Sequence, residues 1–154
     1  MENWENGKTG VEVSVRVDNQ VLQDLLTNAL EGGSNYWYCN ADYEVPEENR
    51  GLVEEASRGI FRGYWAPFFG GALKLQVKFH GDKLPYRTSS VTYEDRVAGP
   101  GIEWRIEYED MEIAAQIMAE KYPRHLRDAI LENHDADTGD VFLQLCCFGE
   151  IIYG

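Results

Sequence analysis

A stripe of apolar residues at helical spacing, ended by two adjacent glycines, constrains the fold of this chain more than any other feature. The stripe consists of Val21, Leu22, Leu25, Leu26, Ala29 and Leu30. Residues spaced in this way share one side of a helix, so the pattern predicts a helix near residues 20–31 with that side buried. Asp18 and Asn19 precede it as capping residues, and Gly32 stands where a C-terminal glycine cap belongs.

Alternation of apolar and polar residues predicts strands elsewhere in the chain. The four valines of Val11–Val17 alternate with glutamate, serine and arginine, which is typical of a half-buried strand. The same period of two predicts strands over Leu73–Phe79 and Trp104–Tyr108, with a further candidate at Thr88–Tyr93. Between them, the acidic stretch Asp42–Asn49 contains a proline and is predicted to be exposed.

Helical spacing dominates the last third of the chain. It predicts helices over residues 111–122 and from Pro123 onwards, the latter with Leu126, Ile130 and Leu131 facing inward. A shorter helix is predicted over residues 52–62. The apolar run 141–148 fits a central strand or a buried helix, and Asp137 as a capping residue favours the helix.

Strands and helices without regular alternation are typical of an α+β fold. We therefore expect a single domain over residues 1–154, which is long enough to bury a sizeable core. Its antiparallel sheet should have about three to five strands, with helices packed on one face.

The charge of the chain limits its partners. There are 27 acidic and 14 basic residues, giving a net charge of −13. Such a charge repels nucleic acids and anionic membranes, and the arginines are scattered, so we expect neither partner. The polar N-terminus does not resemble a signal peptide, and no apolar run is long enough to span a membrane. The odd set of cysteines, Cys39, Cys146 and Cys147, suits a reducing cytoplasm.

Two aromatic clusters beside glycine pairs are the candidate ligand site. The first is Tyr36–Tyr38 after Gly32-Gly33, and the second is Tyr64, Trp65, Phe68 and Phe69 before Gly70-Gly71. Aromatic faces stack on nucleobases, glycine N–H groups bind phosphate, and arginines supply positive charge. Phe68 and Phe69 favour a core role, whereas Trp37 fits core and pocket equally well. The predicted ligand-binding residues are Gly32, Gly33, Ser34, Asn35, Tyr36, Trp37, Tyr38, Arg58, Arg62 and Trp65.

Metal and catalytic signatures are weak. Asp135, Asp137 and Asp140 are spaced as in a calcium loop, but the glycine and bidentate glutamate of an EF-hand are missing, so a capped turn is favoured. Histidine and cysteine spacings do not fit a zinc site, and no nucleophile motif is present. We therefore predict no catalytic residues, metal or cofactor, and favour a protein that is not an enzyme. Gln144, inside the apolar run, fits two roles: it bonds backbone of the Gly32–Trp37 loop, or it lines a site. We favour the structural role.

Several segments resemble small proteins encoded by phages and prophages. These are the end of the first helix through EGGSNYW (residues 31–37), Tyr122-Pro123, DADTGDVFLQ (135–144) and FGEIIYG (148–154). Together they cover less than a third of the chain, and residues 40–105 carry no such resemblance. The resemblance implies an accessory protein in the host bacterial cytoplasm that counters host defence. It assigns no catalytic residues.

The leading hypothesis is a non-enzymatic protein that binds and sequesters a small nucleotide-derived immune signal. One alternative is an acidic protein that blocks a basic surface of a host protein, in the manner of a DNA mimic. Another is a hydrolase of such a signal. Because the aromatic clusters exceed the needs of one small core and symmetric dimers are common, we expect at least a dimer.

Overall fold

A computed structural model of the chain describes residues 7, 9–78, 101–133 and 135–154. This part of the chain forms a three-stranded antiparallel sheet and five α-helices, which confirms the α+β prediction. In chain order the elements are α1 (Asn19–Asn28), β1 (Tyr38–Glu44), α2 (Arg50–Ser57), β2 (Ala72–Lys78), β3 (Gly101–Ile106), α3 (Tyr108–Lys121), α4 (Pro123–Ile130) and α5 (Ala136–Phe148). Short 3₁₀ turns lie at Glu47–Asn49, Arg62–Tyr64 and Ala66–Phe69.

The sheet has one buried face because successive side chains along each strand point to opposite sides, and the register places apolar residues of neighbouring strands on the same side. The strand order is β1-β2-β3, so β2 pairs on both sides. Leu75 lies opposite Ala41 of β1 and Trp104 of β3, and Leu73 lies opposite Ile106. Leu73, Leu75, Trp104 and Ile106 are buried, whereas Lys74, Gln76, Glu103 and Arg105 on the other face keep contact with solvent.

A bulge interrupts β1 near its start. Tyr38 pairs with Val77 and Asn40 with Gln76, so Cys39 is the extra residue. Its side chain is exposed. A bulge increases the local twist of a strand, which turns the start of β1 away from a flat edge.

Helix α5 is central to the core, and the predicted helix over residues 141–148 is confirmed. It packs against α1, α3 and β3, and buries Phe142, Leu143, Leu145 and Phe148. The capping residue predicted from the sequence is wrong, because the helix begins two residues earlier. Asp135 caps it by accepting a hydrogen bond from the N–H of Thr138 at 2.7 Å.

The predicted first helix is confirmed, but its end differs from the prediction. Asp18 caps α1 by accepting from Val21 N–H at 3.1 Å. Gly32 does not terminate it, because the chain continues into a π-helical turn, Ala29–Gly33. In this wider turn the N–H of Ser34 donates to the carbonyl of Ala29, five residues back, at 2.8 Å. The turn carries the helix direction on to Ser34, whose side chain points into the core.

The predicted strand Val11–Val17 is wrong. The segment has no regular secondary structure and no backbone hydrogen bond to another described residue. Alternation predicts a strand only when a neighbouring strand is available, and here the described sheet has its three strands without this segment. Val17 packs at the edge of the core, and the other three valines are exposed.

Other boundaries also differ from the sequence-based predictions. Helix α2 ends at Ser57, and Arg58 adopts a left-handed conformation with φ 49°, so the predicted helix 52–62 is wrong in its second half. Residues 42–44 belong to β1, although Asp42 and Glu44 are exposed as expected. The predicted strand Trp104–Tyr108 is too long at its end, because Tyr108 begins α3. Leu131, predicted to face inward, is exposed. The candidate strand at 88–93 lies outside the described residues.

Candidate functional site

The structure separates the predicted ligand-binding residues into three places and leaves Arg58 apart from them. Ser34, Tyr36 and Trp37 meet α5 in a hydrogen-bonded cluster. Arg62 lines a cleft between β1 and α2. Trp65 lies in a separate shallow cleft beside the start of α1. Arg58 lies in neither cleft, so the chain does not bring the ten residues together into one pocket.

Asp140 organises the first of these places, which we call the Asp140 cluster: Ser34, Tyr36, Trp37, Asp140 and Gln144. One carboxylate oxygen of Asp140 accepts the Ser34 hydroxyl at 2.8 Å and the indole N–H of Trp37 at 2.6 Å. The other accepts the Tyr36 hydroxyl at 2.6 Å and the Gln144 amide at 3.1 Å. A buried carboxylate requires such partners, because it has lost its water. The cluster therefore satisfies Asp140 completely with groups of this chain.

Gln144 extends the cluster to the C-terminus. Its amide N–H group also donates to the carbonyl of Tyr153 at 2.9 Å. Its carbonyl oxygen accepts the backbone N–H groups of Ile152 and Tyr153, both at 2.8 Å. The predicted bond from Gln144 to backbone of the Gly32–Trp37 loop is wrong. Gln144 contacts this loop by donating to the Tyr36 hydroxyl at 3.3 Å, and its backbone partners are Ile152 and Tyr153. Each polar atom of the amide has a partner, as a buried amide requires.

Trp37 is a core residue. Its side chain has no exposed area, and its ring stacks on Tyr153 at 5.6 Å between centroids with 5° between the planes. Phe148 packs on it at 5.3 Å, and Tyr38 meets it edge to face at 6.4 Å. The stacking position that a nucleobase needs is thus occupied by Tyr153. Trp37 binds no base in this conformation.

The two glycines of the loop differ in what surrounds them. A Cβ added at Gly33 would overlap the carbonyl oxygen of Ala136 at the start of α5, whereas a Cβ at Gly32 meets nothing within 4 Å. Gly139 makes the reciprocal contact, because a Cβ there would lie 2.7 Å from the backbone nitrogen of Ala29. Glycine at both positions lets α5 approach the π-helical turn closely. Gly33 therefore serves the packing of α5 against this turn.

Burial and the cluster also change the acidity of tyrosines. Desolvation by burial raises the pKa of Tyr36, and the hydrogen bond to the Asp140 carboxylate raises it further. Burial likewise raises the pKa of Tyr38, with a contribution from the charge of Glu31. Tyr38 donates its hydroxyl proton to the carbonyl of Leu30 at 2.6 Å. These phenols remain protonated donors at neutral pH, which the hydrogen bonds require.

The second place is an open cleft of about 440 Å³, which we call the Arg62 cleft. It lies between the edge strand β1 and α2. A volume of this size falls within the range of small-molecule sites, roughly 300 to 1,000 Å³. Its lining residues are Asp42, Tyr43, Glu44, Val45, Arg50, Val53, Glu54 and Arg62.

Arg62 is positioned within this cleft by two neighbours. It donates to the Tyr43 hydroxyl at 3.3 Å, and its other terminal nitrogen lies 3.6 Å from a Glu54 carboxylate oxygen. The hydrogen bond with Tyr43 raises the pKa of Arg62. Phe61 packs edge to face on the Tyr43 ring at 6.0 Å, which fixes the phenol. The guanidinium side chain is 42% exposed, so it retains donors for a ligand.

Glu44 is turned towards the outer face of the sheet. It forms an ion pair with Arg105 of β3, which itself lies 3.5 Å from Glu107. The hydrogen bond with Arg105 lowers the pKa of Glu44, so this carboxylate is ionised at neutral pH. Because the positive charge of Arg105 lies next to it, Glu44 repels an anionic ligand in the cleft less strongly than an unpaired carboxylate would.

Arg58 and Trp65 occupy other surfaces. Arg58 follows α2 in the left-handed conformation and is exposed. It is therefore not one helical turn before Arg62, in contrast to the helix predicted over residues 52–62. Trp65 packs on Tyr64 at 6.1 Å and lines a cleft of about 190 Å³ with Phe68 and Phe69.

Sequence reasoning singled out Gln144, but it missed the other partners that give each place its chemistry, including Asp140 as the shared acceptor. Asp140 and Gln144 are four residues apart in α5, so they share a face, and this spacing could have marked a buried polar stripe. Tyr43, Arg50 and Glu54 carried no comparable signal. They approach Arg62 through the pairing of β1 with β2 and the packing of α2, which local patterns do not encode.

No family model, curated protein or solved structure matches this chain. Within the described residues, no helix is both long and apolar enough to cross a membrane. The same residues contain no group of three or more histidine, cysteine or acidic side chains placed to hold a metal ion.

Proposed function

We propose that this chain is a non-enzymatic phage accessory protein that binds and sequesters a small nucleotide-derived immune signal of the host. The observation that carries the proposal is the Arg62 cleft, in which a positioned guanidinium and an aromatic side chain share an open site. The cleft replaces the Gly32–Tyr38 loop as the proposed ligand site. The phage origin and the role against defence rest on the sequence resemblance.

Arg62 is the proposed phosphate-binding residue. A guanidinium presents planar pairs of N–H donors that match two phosphate oxygens, and this match adds strength and specificity. Tyr43 and Glu54 hold Arg62 in place, so less side-chain entropy is lost on binding. Arg50 lines the same cleft and supplies a second positive charge for a ligand with more than one phosphate.

The rest of the lining fits a nucleoside. Carboxylates such as Asp42 accept hydrogen bonds from ribose hydroxyls, as acidic residues do in dinucleotide sites. Val45 and Val53 provide apolar surface beside the aromatic ring of Tyr43. The lining therefore offers a complementary group to each part of a nucleotide: the anionic phosphate, the hydroxylated sugar and the flat base.

Sequestration is favoured over hydrolysis because the lining lacks the usual catalytic nucleophiles and histidine. The residues of the Arg62 cleft include no serine, cysteine or histidine. Its carboxylates remain as candidate acid or base groups, so the product must be analysed. Intact ligand released by heat denaturation supports sequestration, and an altered ligand identifies a hydrolase.

An acidic protein that blocks a basic host surface is the second candidate. It is favoured by the exposed carboxylates of Asp42, Glu44, Glu47 and Glu48, which follow one another along β1 and the turn after it. Charged side chains on an edge strand also prevent aggregation, which is the simpler reason for them. Binding driven by the net charge of −13 should weaken steeply as salt is added.

Calorimetry against cyclic dinucleotides, cyclic trinucleotides and ADP-ribose-derived signals tests the proposal. We expect a member of this panel to bind wild-type protein, with a smaller salt dependence than binding driven by the net charge of the whole chain. Arg62→Gln should reduce the affinity about 10- to 150-fold, which is the effect of losing a hydrogen bond to a charged group. Arg58→Gln is the matched control, since it removes the same charge outside the cleft.

Two results would contradict the proposal. Equal losses for both arginine variants would point to a general charge effect. Absence of binding to every member, with the variants and wild type folded alike, would favour the acidic blocking protein.

A further inference from the structure

The N-terminal segment Val11–Val17, which pairs with none of the described strands, leaves three apolar side chains in solvent. Val11 is 88% exposed, Val13 86% and Val15 64%. No described residue forms a backbone hydrogen bond with this segment. A run of alternating valines has high strand propensity, and its unpaired N–H and C=O groups are a template for pairing with another chain.

The segment is complementary to a second copy of itself. When two copies run antiparallel about Ser14, Glu12 of each lies opposite Arg16 of the other, Val11 opposite Val17, and Val13 opposite Val15. Opposite charges and β-branched pairs are the cross-strand neighbours that stabilise an antiparallel ladder. The symmetry also places all valines on one face of the ribbon and all polar residues on the other.

Two strands alone are marginally stable in water, so the valine face needs a surface to cover it. The chain provides one in a cleft of about 620 Å³ next to the segment. Val13, Val15 and Val17 line it together with Leu22, Ala115, Ala119 and Leu126 of α1, α3 and α4. Its polar lining residues are Ser14, Tyr108, Glu112 and Gln116. This cleft has room for valines of a second segment beside those of its own.

We propose that Val11–Val17 pairs antiparallel with the same segment of a second copy of this chain, centred on Ser14, to form a symmetric dimer. The contact is isologous, so it closes after two copies and does not propagate into a filament. The proposal does not depend on the ligand of the Arg62 cleft.

Charge reversal tests this pairing. Sedimentation velocity of the full chain, at moderate salt to screen the net charge, should show a dimer. Glu12→Arg and Arg16→Glu should each raise the dimer dissociation constant at least about tenfold, since each replaces two attractions by two repulsions. An equimolar mixture of the two variants restores opposite charges at both positions, and it should recover the dimer.

The register is tested by crosslinking in a Cys39→Ser background, since the other two cysteines are buried. With oxidised glutathione as the oxidant, Ser14→Cys should form an intermolecular disulfide because the two Ser14 positions face each other. Thr9→Cys is the control, since antiparallel pairing about Ser14 separates the two Thr9 positions by ten residues, or about 33 Å.

Three results would overturn the proposal. The first is a wild-type chain that stays monomeric at about 100 µM, because the dimer dissociation constant would then lie well above that concentration. The second is a dimer that both charge reversals leave intact, because it must form through another surface. The third is crosslinking of Thr9→Cys as efficient as that of Ser14→Cys. Matching circular dichroism of all variants ensures that each result reports on pairing, not on folding.

Discussion

The indole N–H of Trp37 donates to a carboxylate oxygen of Asp140 across 2.6 Å, joining residues 103 positions apart. This hydrogen bond attaches the loop after α1 to the first turns of α5. Ser34 donates to the same oxygen, so both contacts depend on one side chain. The loop Ser34–Tyr38 therefore has a structural role, because it connects the end of α1 to α5 through Asp140.

Asp140→Ala should lower the free energy of unfolding by about 3 kcal/mol or more, because it leaves the buried donors of Ser34 and Trp37 without an acceptor. Asp137→Ala is the matched control on the same helix. Asp137 is exposed, so its loss should cost no more than about 1 kcal/mol, mainly through the helix dipole. Urea denaturation measures both. Equal effects of the two substitutions would show that the Asp140 cluster contributes little.

The adjacent glycines Gly32 and Gly33 offer a second test of the packing between α5 and the loop after α1. Gly33→Ala should destabilise the protein by about 1 to 3 kcal/mol, since the new Cβ meets a backbone carbonyl that cannot move freely. Gly32→Ala should be neutral or stabilise by up to about 1 kcal/mol, because its Cβ enters open space. Thermal melts of the two variants give the comparison. The opposite order would mean that α5 does not pack on the π-helical turn.

The fold was predictable where local patterns and tertiary structure agree. The leucine stripe of α1 specifies a buried helix, and this helix is present. The apolar run of α5 by itself fits a strand or a helix, and the acidic capping residues before it favoured the helix that is present. The valines of 11–17 show where a local pattern is insufficient. Their alternation fits a strand, but the pairing partner is not encoded in the segment itself, and the described sheet does not include it. The π-helical turn was also missed, and it lies where Gly139, from a distant part of the sequence, closely approaches Ala29.

Stability at alkaline pH should depend on Tyr36. The folded protein raises the pKa of this phenol, whereas the unfolded chain has the ordinary value of about 10. The stabilisation is therefore fully present below pH of about 10 and is lost as the pH rises above it. Tyr36→Phe should show a shallower decline of the free energy of unfolding over that range. Denaturant titrations at several pH values measure the slopes, and identical slopes would exclude a role for Tyr36.

Thiol reactivity should distinguish the three cysteines. Cys39 is exposed at the bulge of β1, whereas Cys146 and Cys147 are buried in α5. A thiol reagent added to native protein should modify one cysteine rapidly and the other two only after denaturant is added. Cys39→Ser should remove the rapid phase. Rapid reaction of all three would contradict the position of α5 in the core.

The candidate site was less predictable than the fold. Ser34, Tyr36 and Trp37 combine polar and aromatic groups, which is equally typical of a pocket and of a buried hydrogen-bonded cluster. Only the position of Asp140 decides between them, and it comes from the other end of the chain. Arg62 was selected for its charge, but Tyr43 and Glu54 reach it only after the sheet and α2 have assembled.

Mapping of the bound ligand by NMR tests the proposed site most directly. The protein would be titrated with a panel nucleotide that binds in calorimetry, while backbone amides and arginine side chains are observed. We predict that the largest shifts occur at Tyr43, Glu54 and the Arg62 guanidinium, with the indole N–H of Trp37 unchanged because Asp140 holds it in the core. Shifts centred on Ser34 to Trp37, with the Arg62 signal unmoved, would contradict the assignment of the Arg62 cleft.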